Sequence, residues 1–222
     1  MERIAEEVWT ATQDFALPGG VCIPGRMNVV RVPGGRLWVH SPLPPSEAAL
    51  GFVRSLGPVG WIVSPSKLHH LGLAAWHRAF PDAEVLGPDG LAAKVPDVPM
   101  RPWRGTPEAW GGVFDAAAID GAPDLSELCL LHRPTGTLFV ADLLFHLIGP
   151  LNLVTSVLTT ALGTRGRLAR SRVWSVYTKD AAKVRASVAT VAAWPIERLV
   201  PCHGAVLEDP GGTRTRAALA AF

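Results

Sequence analysis

Trp61-Ile62-Val63-Ser64-Pro65-Ser66-Lys67-Leu68-His69-His70-Leu71-Gly72 is the stretch on which the reading of this chain turns. A short apolar run leads into a segment carrying two adjacent histidines, and a helix-like stretch, Ala74 to Phe80, follows. Neighbouring imidazoles at a strand-to-helix turn can converge on one cation, because irregular backbone lets both rings point inward.

Working outward, strands and helices alternate in the first half. Met27–Val32 and Arg36–His40 read as strands joined by Pro33-Gly34-Gly35. Ser46 has the character of an N-cap for a helix to about Leu56, and Ala83–Leu86 reads as a further strand. After Val98–Gly112, which resists regular assignment, the segments Val113–Asp120, Glu127–His132 and Thr137–Ala141 read as strands between strong breakers. Asn152–Leu162, Lys179–Trp194 and Thr213–Ala221 have helical content, and Leu199–Cys202 is a last short strand. Strands precede helices within each half, which suggests two packed sheets with helices outside, in one α/β domain over residues 1–222.

Composition excludes several classes. The chain has 222 residues, 48% hydrophobic and 18% charged, a globular balance. A net charge of +2 gives no case for nucleic acid as a partner. The basic run Arg165-Gly166-Arg167-Leu168-Ala169-Arg170-Ser171-Arg172 reads as a solvated loop. Leu147–Leu162 is interrupted by Gly149, Pro150 and Asn152 and is too short to span a bilayer, so it reads as a core helix, with a pocket wall or a homodimer contact as alternatives. Val98–Gly112, with Trp103 and Trp110, is a second candidate wall. Three cysteines without C-x-x-C spacing, and an acidic N-terminus, fit a reduced, cytoplasmic setting. Cys129 reads as core, while Cys202 stands beside His203 and keeps a functional reading open.

Metal-binding side chains fall at several strand tips. Asp142 follows Leu138-Phe139-Val140-Ala141, His203 follows Leu199-Val200-Pro201-Cys202, and His40 ends Leu37-Trp38-Val39. A carboxylate at the end of a buried strand is costly to hide without a cation or donor beside it.

With these residues in place, the chain resembles the metallo-β-lactamase fold superfamily, and a divergent branch of it. The superfamily carries an H-x-H-x-D-H turn after a strand, a later lone histidine, an aspartate after an L-F-x-G-D-like strand and a closing G-H-G-like turn. Leu138–Asp142 and Pro201-Cys202-His203-Gly204 match well, and Trp38-Val39-His40-Ser41-Pro42 and Leu68–Leu71 resemble the divergent branch. The resemblance covers about Met27 to His203 and implies a four-layer αββα sandwich.

It also implies a divided metal site. His69, His70, Asp142 and His203 match the second metal position, with His69 in place of an aspartate. Pro65 and Lys67 stand where two histidines of the first position belong, and the later lone histidine would fall near Pro123 or Asp124. The expectation is one divalent ion, zinc, with iron or manganese as competitors. His70 is the leading ligand, since His69 must reach where a shorter aspartate normally does. Lys67 is expected in the vacated position, paired with Asp142 or Glu127, stabilising an oxyanion as a catalytic group alongside Asp142. His40, Glu127 and His146 are expected to orient the ligands. The activity implied is hydrolysis of a small-molecule substrate. The alternative is a binding or regulatory module whose metal is structural or absent.

Overall fold

Alternation at a period of two decides how the strands stack. The computed structural model describes residues 1–222. The chain forms β1 (Glu2–Ala5), β2 (Val8–Leu17), β3 (Val21–Arg31), β4 (Leu37–His40), α1 (Glu47–Leu56), β5 (Val59–Val63), α2 (Leu73–Ala79), β6 (Glu84–Gly87) and β7 (Met100–Pro102). These seven strands make one sheet in sequence order. The second half contributes β8 (Phe114–Ala118), β9 (Leu128–His132), β10 (Thr137–Val140), β11 (Phe145–His146), α3 (Leu153–Ala161), β12 (Leu168–Ala169), α4 (Trp174–Tyr177), α5 (Ala181–Ala192), β13 (Arg198–Pro201), β14 (Leu207–Glu208) and α6 (Thr213–Leu219). Its main sheet has the order β14-β13-β10-β9-β8, and β11 pairs with β12 alone.

Each inner strand sends alternate residues into two different cores. Leu37, Val39 and Ile62 pack with Leu50 and Val53 of α1 and with Leu73 and Trp76 of α2. Trp38, Trp61 and Val63 point the other way and meet Leu128, Leu130, Phe139 and Val200 of the second sheet. That sheet turns Cys129, Leu131, Leu138, Val140 and Leu199 outward, onto Trp174, onto Val184, Val188 and Val191 of α5 and onto Leu219 of α6. Helix on sheet, sheet on sheet and sheet on helix make three interfaces between four layers, the αββα sandwich implied by the sequence. Trp38, fully buried between the sheets, is one of the heaviest contributors; truncating it to Ala would cost roughly 3–5 kcal/mol.

The expected helices form close to their anticipated ends. Ser46 caps α1, its hydroxyl accepting from Ala49 N–H at 3.2 Å, and Asp180 caps α5. Besides β11, β12, α4 and β14, which the sequence reading lacks, two regions differ from it. The first 26 residues, given no element in the sequence reading, carry β1, β2 and the first half of β3, and the β2–β3 ladder runs from Val8↔Val30 to Leu17↔Val21. Val98–Gly112 yields the short edge strand β7, and Trp110 is swallowed by the core between the sheets. No helix is long and apolar enough to cross a membrane.

Candidate metal centre

Two parallel strand pairs end on one rim of the sandwich. β4 runs parallel to β5 in the first sheet, and β10 parallel to β13 in the second. Segments leaving the carboxyl ends of parallel strands gather where layered α/β folds place their sites. Here they deliver Ser41 after β4, the Ser64–Gly72 turn after β5, Asp142 after β10 and His203 after β13.

Hydrogen bonds within the 64–72 turn choose which imidazole enters. The buried Ser64 hydroxyl bonds the carbonyls of Ser66 and His69 at 2.9 and 2.7 Å, curling the turn over itself. Pro65 O accepts from Leu128 N and Leu125 O from Lys67 N, tying the turn to the entrance of β9. Gly72 lets this turn lie against the segment after β4, because a Cβ there would sit 2.2 Å from the Pro42 carbonyl oxygen. His69 is thereby directed inward: its Nε2 is 3.3 Å from Asp142 Oδ2, and its Nδ1 pairs with Ser41 Oγ at 2.8 Å.

His203 reaches the same carboxylate from the other side, with Nε2 3.3 Å from Asp142 Oδ1. Its Nδ1 is 2.9 Å from the Pro24 carbonyl of β3. A carbonyl only accepts, so Nδ1 carries the hydrogen and Nε2 of the neutral ring presents its lone pair to Asp142. The turn that carries His203 depends on Gly204 at φ +103°, where a Cβ would lie 2.1 Å from the His146 carbonyl oxygen. One donor atom from each of His69, Asp142 and His203 lies within 4.8 Å of the others.

The electrostatics follow from this packing. Burial alone would raise the Asp142 carboxyl, but the charges and hydrogen bonds of His69 and His203 hold it well below the usual carboxylate range. Burial works against charge on His203, yet the Asp142 hydrogen bond and charge leave its pKa raised. Two lone-pair atoms 3.3 Å apart repel unless a positive charge stands between them. Either a proton on Nε2 or a divalent cation meets that need. Two imidazoles and one carboxylate suit zinc or a similar borderline ion, so the donor set fits the group that the sequence implies.

The order expected of the histidine pair is reversed. His69 joins Asp142 and His203, whereas His70 Nδ1 lies 3.2 Å from the Lys67 carbonyl and its ring stays outside the cluster. Burial, and then the Lys94 ammonium, lower the His70 pKa. The expected pairing of Lys67 with Asp142 or Glu127 does not form. Its backbone is held by Leu125, and its ammonium donates to the Pro123 carbonyl at 2.8 Å. Glu127 is fully buried beneath the site, its carboxylate accepting from the backbone N–H groups of Ala141, Asp142 and Leu143 at 2.8–3.1 Å. Burial and the neighbouring Asp142 charge push its carboxyl up to about 8.

His40 stacks on Trp38 at 5.0 Å, and its Nδ1 meets Asn28 Nδ2 at 3.2 Å. Burial lowers its pKa to about 3, so the ring is neutral. The His146 ring, expected to orient a ligand, bonds the Ala205 carbonyl through Nδ1 on the closing turn and does not touch the cluster. His132 meets Thr135 Oγ1 at 2.8 Å in a turn. Cys202 is buried with its thiol pKa raised, which keeps it protonated and unreactive.

Two contributors escaped the sequence reading. Ser41 braces His69, and Ser66 Oγ donates to Asp142 Oδ2 at 3.4 Å. Serines at turns are too common to signal this; the one clue is that both follow strand tips. Around the cluster lies a cavity of about 390 Å³ lined by His70, Arg26 and mainly apolar side chains, among them Phe15, Leu43, Leu68 and Phe145. Trp103 and Trp110 are not in its wall. A smaller cavity of about 140 Å³ shares Ile23, Leu68, Asp142 and Phe145 with it and continues to Leu147, Leu158 and Leu162, so residues of the Leu147–Leu162 segment line a space that adjoins the cluster.

Solved structures share this fold along the whole chain. A metallo-β-lactamase from Erythrobacter litoralis, with β-mercaptoethanol in its active site, is 18% identical at a TM-score of 0.66, with 100% of this chain and 96% of that one covered. A metallo-β-lactamase from Pontibacter korlensis is 14% identical at 0.66, covering 99% and 98%. A fragment of a putative diflavin flavoprotein A from Nostoc is 13% identical at 0.64, covering 99% and 91%. At such identities the likeness is one of fold. No curated protein matches the sequence. A family model does, over residues 5–167, which takes in His69 and Asp142 and stops before His203. The chain therefore belongs to the family described as Domain of unknown function (DUF4336), built on a divergent metallo-β-lactamase fold.

Proposed function

We propose that this chain is a metal-dependent hydrolase acting on a small molecule with an apolar portion, through one divalent cation, zinc by its donor set, held by His69, Asp142 and His203. The observation that carries the reading is the convergence of these three side chains from three separate strand ends, with the far nitrogen of each imidazole braced. Three protein donors would leave a bound ion room for water, as in catalytic zinc sites and unlike closed structural ones. The residues of a second position are missing: Pro65 has no donor atom and the Lys67 ammonium is turned to Pro123.

A divalent cation supplies Lewis acidity in such a place, polarising an ester, amide or phosphoester oxygen and acidifying water. The chain itself sets the geometry. Asp142 spends one oxygen on each imidazole side, Ser66 steadies Oδ2, and Glu127 fixes the backbone from Ala141 to Leu143. His70 donates Nδ1–H to the Lys67 carbonyl, which leaves the Nε2 lone pair uncommitted beside the cavity. It is the group placed to take a proton from water during attack. The apolar walls exclude solvent around the reacting group and select a substrate with an apolar portion.

Elemental analysis of the purified chain, paired with turnover of a series of aryl esters of increasing acyl length, tests the proposal. About one equivalent of metal, and turnover lost in Asp142→Asn, are the expected results. Two equivalents per chain, or undiminished turnover in that variant, would overturn it.

A further inference from the structure

Helix α3 is inside out. Its buried residues are threonines, Thr155 and Thr159, one turn apart, while Leu153, Val154, Val157 and Leu158 face solvent. Leu153 is 80% exposed and Val157 63%. An ordinary surface helix shows the reverse pattern. The arrangement is held in place and is not a frayed end: Asn152 caps the helix by accepting from Thr155 N–H at 2.8 Å and donates to Gly20 O at 3.0 Å, while Thr155 Oγ1 accepts from Cys22 N–H at 2.7 Å. Of the nine large hydrophobic side chains exposed on the whole chain, six lie between Ile148 and Val176. Such a concentration marks a contact surface.

The charge carried by the segment itself has one sign, although Asp14 of β2 lines a cavity with Gly149–Asn152. From Leu143 to Lys179 there is no aspartate or glutamate, while Arg165, Arg167, Arg170 and Arg172 all fall there. None of the four forms an ion pair. Three of the guanidinium groups border the apolar face, while that of Arg170 lies over the Phe222 ring. Arg165 donates to the Leu147 and Gly149 carbonyls on either side of Ile148, Arg172 to Ala161 O at the end of α3, and Arg167 to Gly163 O just beyond.

We infer that this face, α3 with the arginines that border it, docks the protein onto an anionic lipid surface. An apolar strip bordered by unpaired arginines is what lies in a headgroup layer, with the aliphatic tips in the acyl boundary and the cations among lipid phosphates. A second copy is disfavoured as the occupant, since a two-fold contact through this patch would set arginines against arginines. Leu158 belongs both to this helix and to the cavity that joins Asp142, so the docked face borders the route to the site. The inference does not depend on the hydrolase reading, because its readout is binding and not turnover.

Co-sedimentation of the full chain with vesicles tests it, comparing phosphatidylcholine alone with phosphatidylcholine mixed with phosphatidylglycerol. Binding to the mixed vesicles only, released near 1 M salt where the screening length is about 3 Å, is expected. Arg167→Gln and Arg172→Gln should each weaken partition about fivefold, from roughly 1 kcal/mol per cation. Since both arginines also bond carbonyls near the end of α3, Leu153→Glu provides a second variant whose exposed position leaves the fold intact, and it should abolish binding. Failure of the folded chain to sediment with mixed vesicles would overturn the inference. So would binding indifferent to Leu153→Glu, or light scattering that shows a dimer dissociated by Val157→Glu.

Discussion

His203 Nε2 and Asp142 Oδ1 face each other at 3.3 Å while the opposite nitrogen of the same ring is committed to the Pro24 carbonyl. The pair is therefore set up to receive a positive charge. Asp142→Asn should weaken zinc binding by more than the 10–100-fold typical of losing an orienting partner, as measured by competition with a chromogenic chelator. Binding unchanged in that variant would place the metal elsewhere.

Ser41 would act on a bound cation only through His69, whose Nδ1 it meets at 2.8 Å. Ser41→Ala is expected to lower zinc affinity by roughly 10–100-fold while thermal unfolding of the metal-free chain barely moves. A matched loss of stability would instead make Ser41 a packing residue.

Lys67 offers a contrast within the same turn. With its ammonium held by the Pro123 carbonyl, Lys67→Ala should leave ester turnover and metal stoichiometry unchanged. A fall in kcat with KM preserved would show that the side chain swings into the site during reaction.

Gly72 is required by contact and not by dihedral angle. Gly72→Ala places a Cβ 2.2 Å from the Pro42 carbonyl oxygen, and neither backbone segment can yield cheaply. A loss of roughly 1–3 kcal/mol in urea unfolding is expected, together with weaker zinc binding as the His69 turn lifts away from Ser41.

Acid sensitivity should trace in part to His132, whose burial lowers its pKa to about 4. The unfolded chain takes up a proton near pH 6.5, the folded chain only near 4, so the unfolded state holds more protons between these values. Stability from this group is complete above 6.5, falls as the pH drops through that window, and changes no further below 4. The wild type should lose roughly 3 kcal/mol over the interval relative to His132→Gln. Parallel stability curves for the two proteins would contradict this.

The sequence showed the layers because burial on both faces leaves unbroken apolar runs. Leu37–His40 and Leu128–His132 carry apolar side chains on both faces, as strands between two cores must. β2 and the first half of β3 were not legible, because the far half of their ribbon, from Thr12 to Leu17, is largely exposed and has no such pattern to enforce. Asp142 and His203 were legible as polar residues ending apolar strands. Which member of the His69–His70 pair enters was not, since Ser64, Leu125 and Pro42 decide it through contacts that no local spacing records.

The three candidate ligands do not belong to one sheet. His69 rises from the first, Asp142 and His203 from the second, and Pro24 of the first grips the ring of His203 across the gap. A cation there would rivet one half of the molecule to the other. Its affinity then becomes a gauge of how well the halves are seated. Damage far away, at the Trp38–Phe139 contact between the sheets, should be readable as faster metal release before any loss of secondary structure.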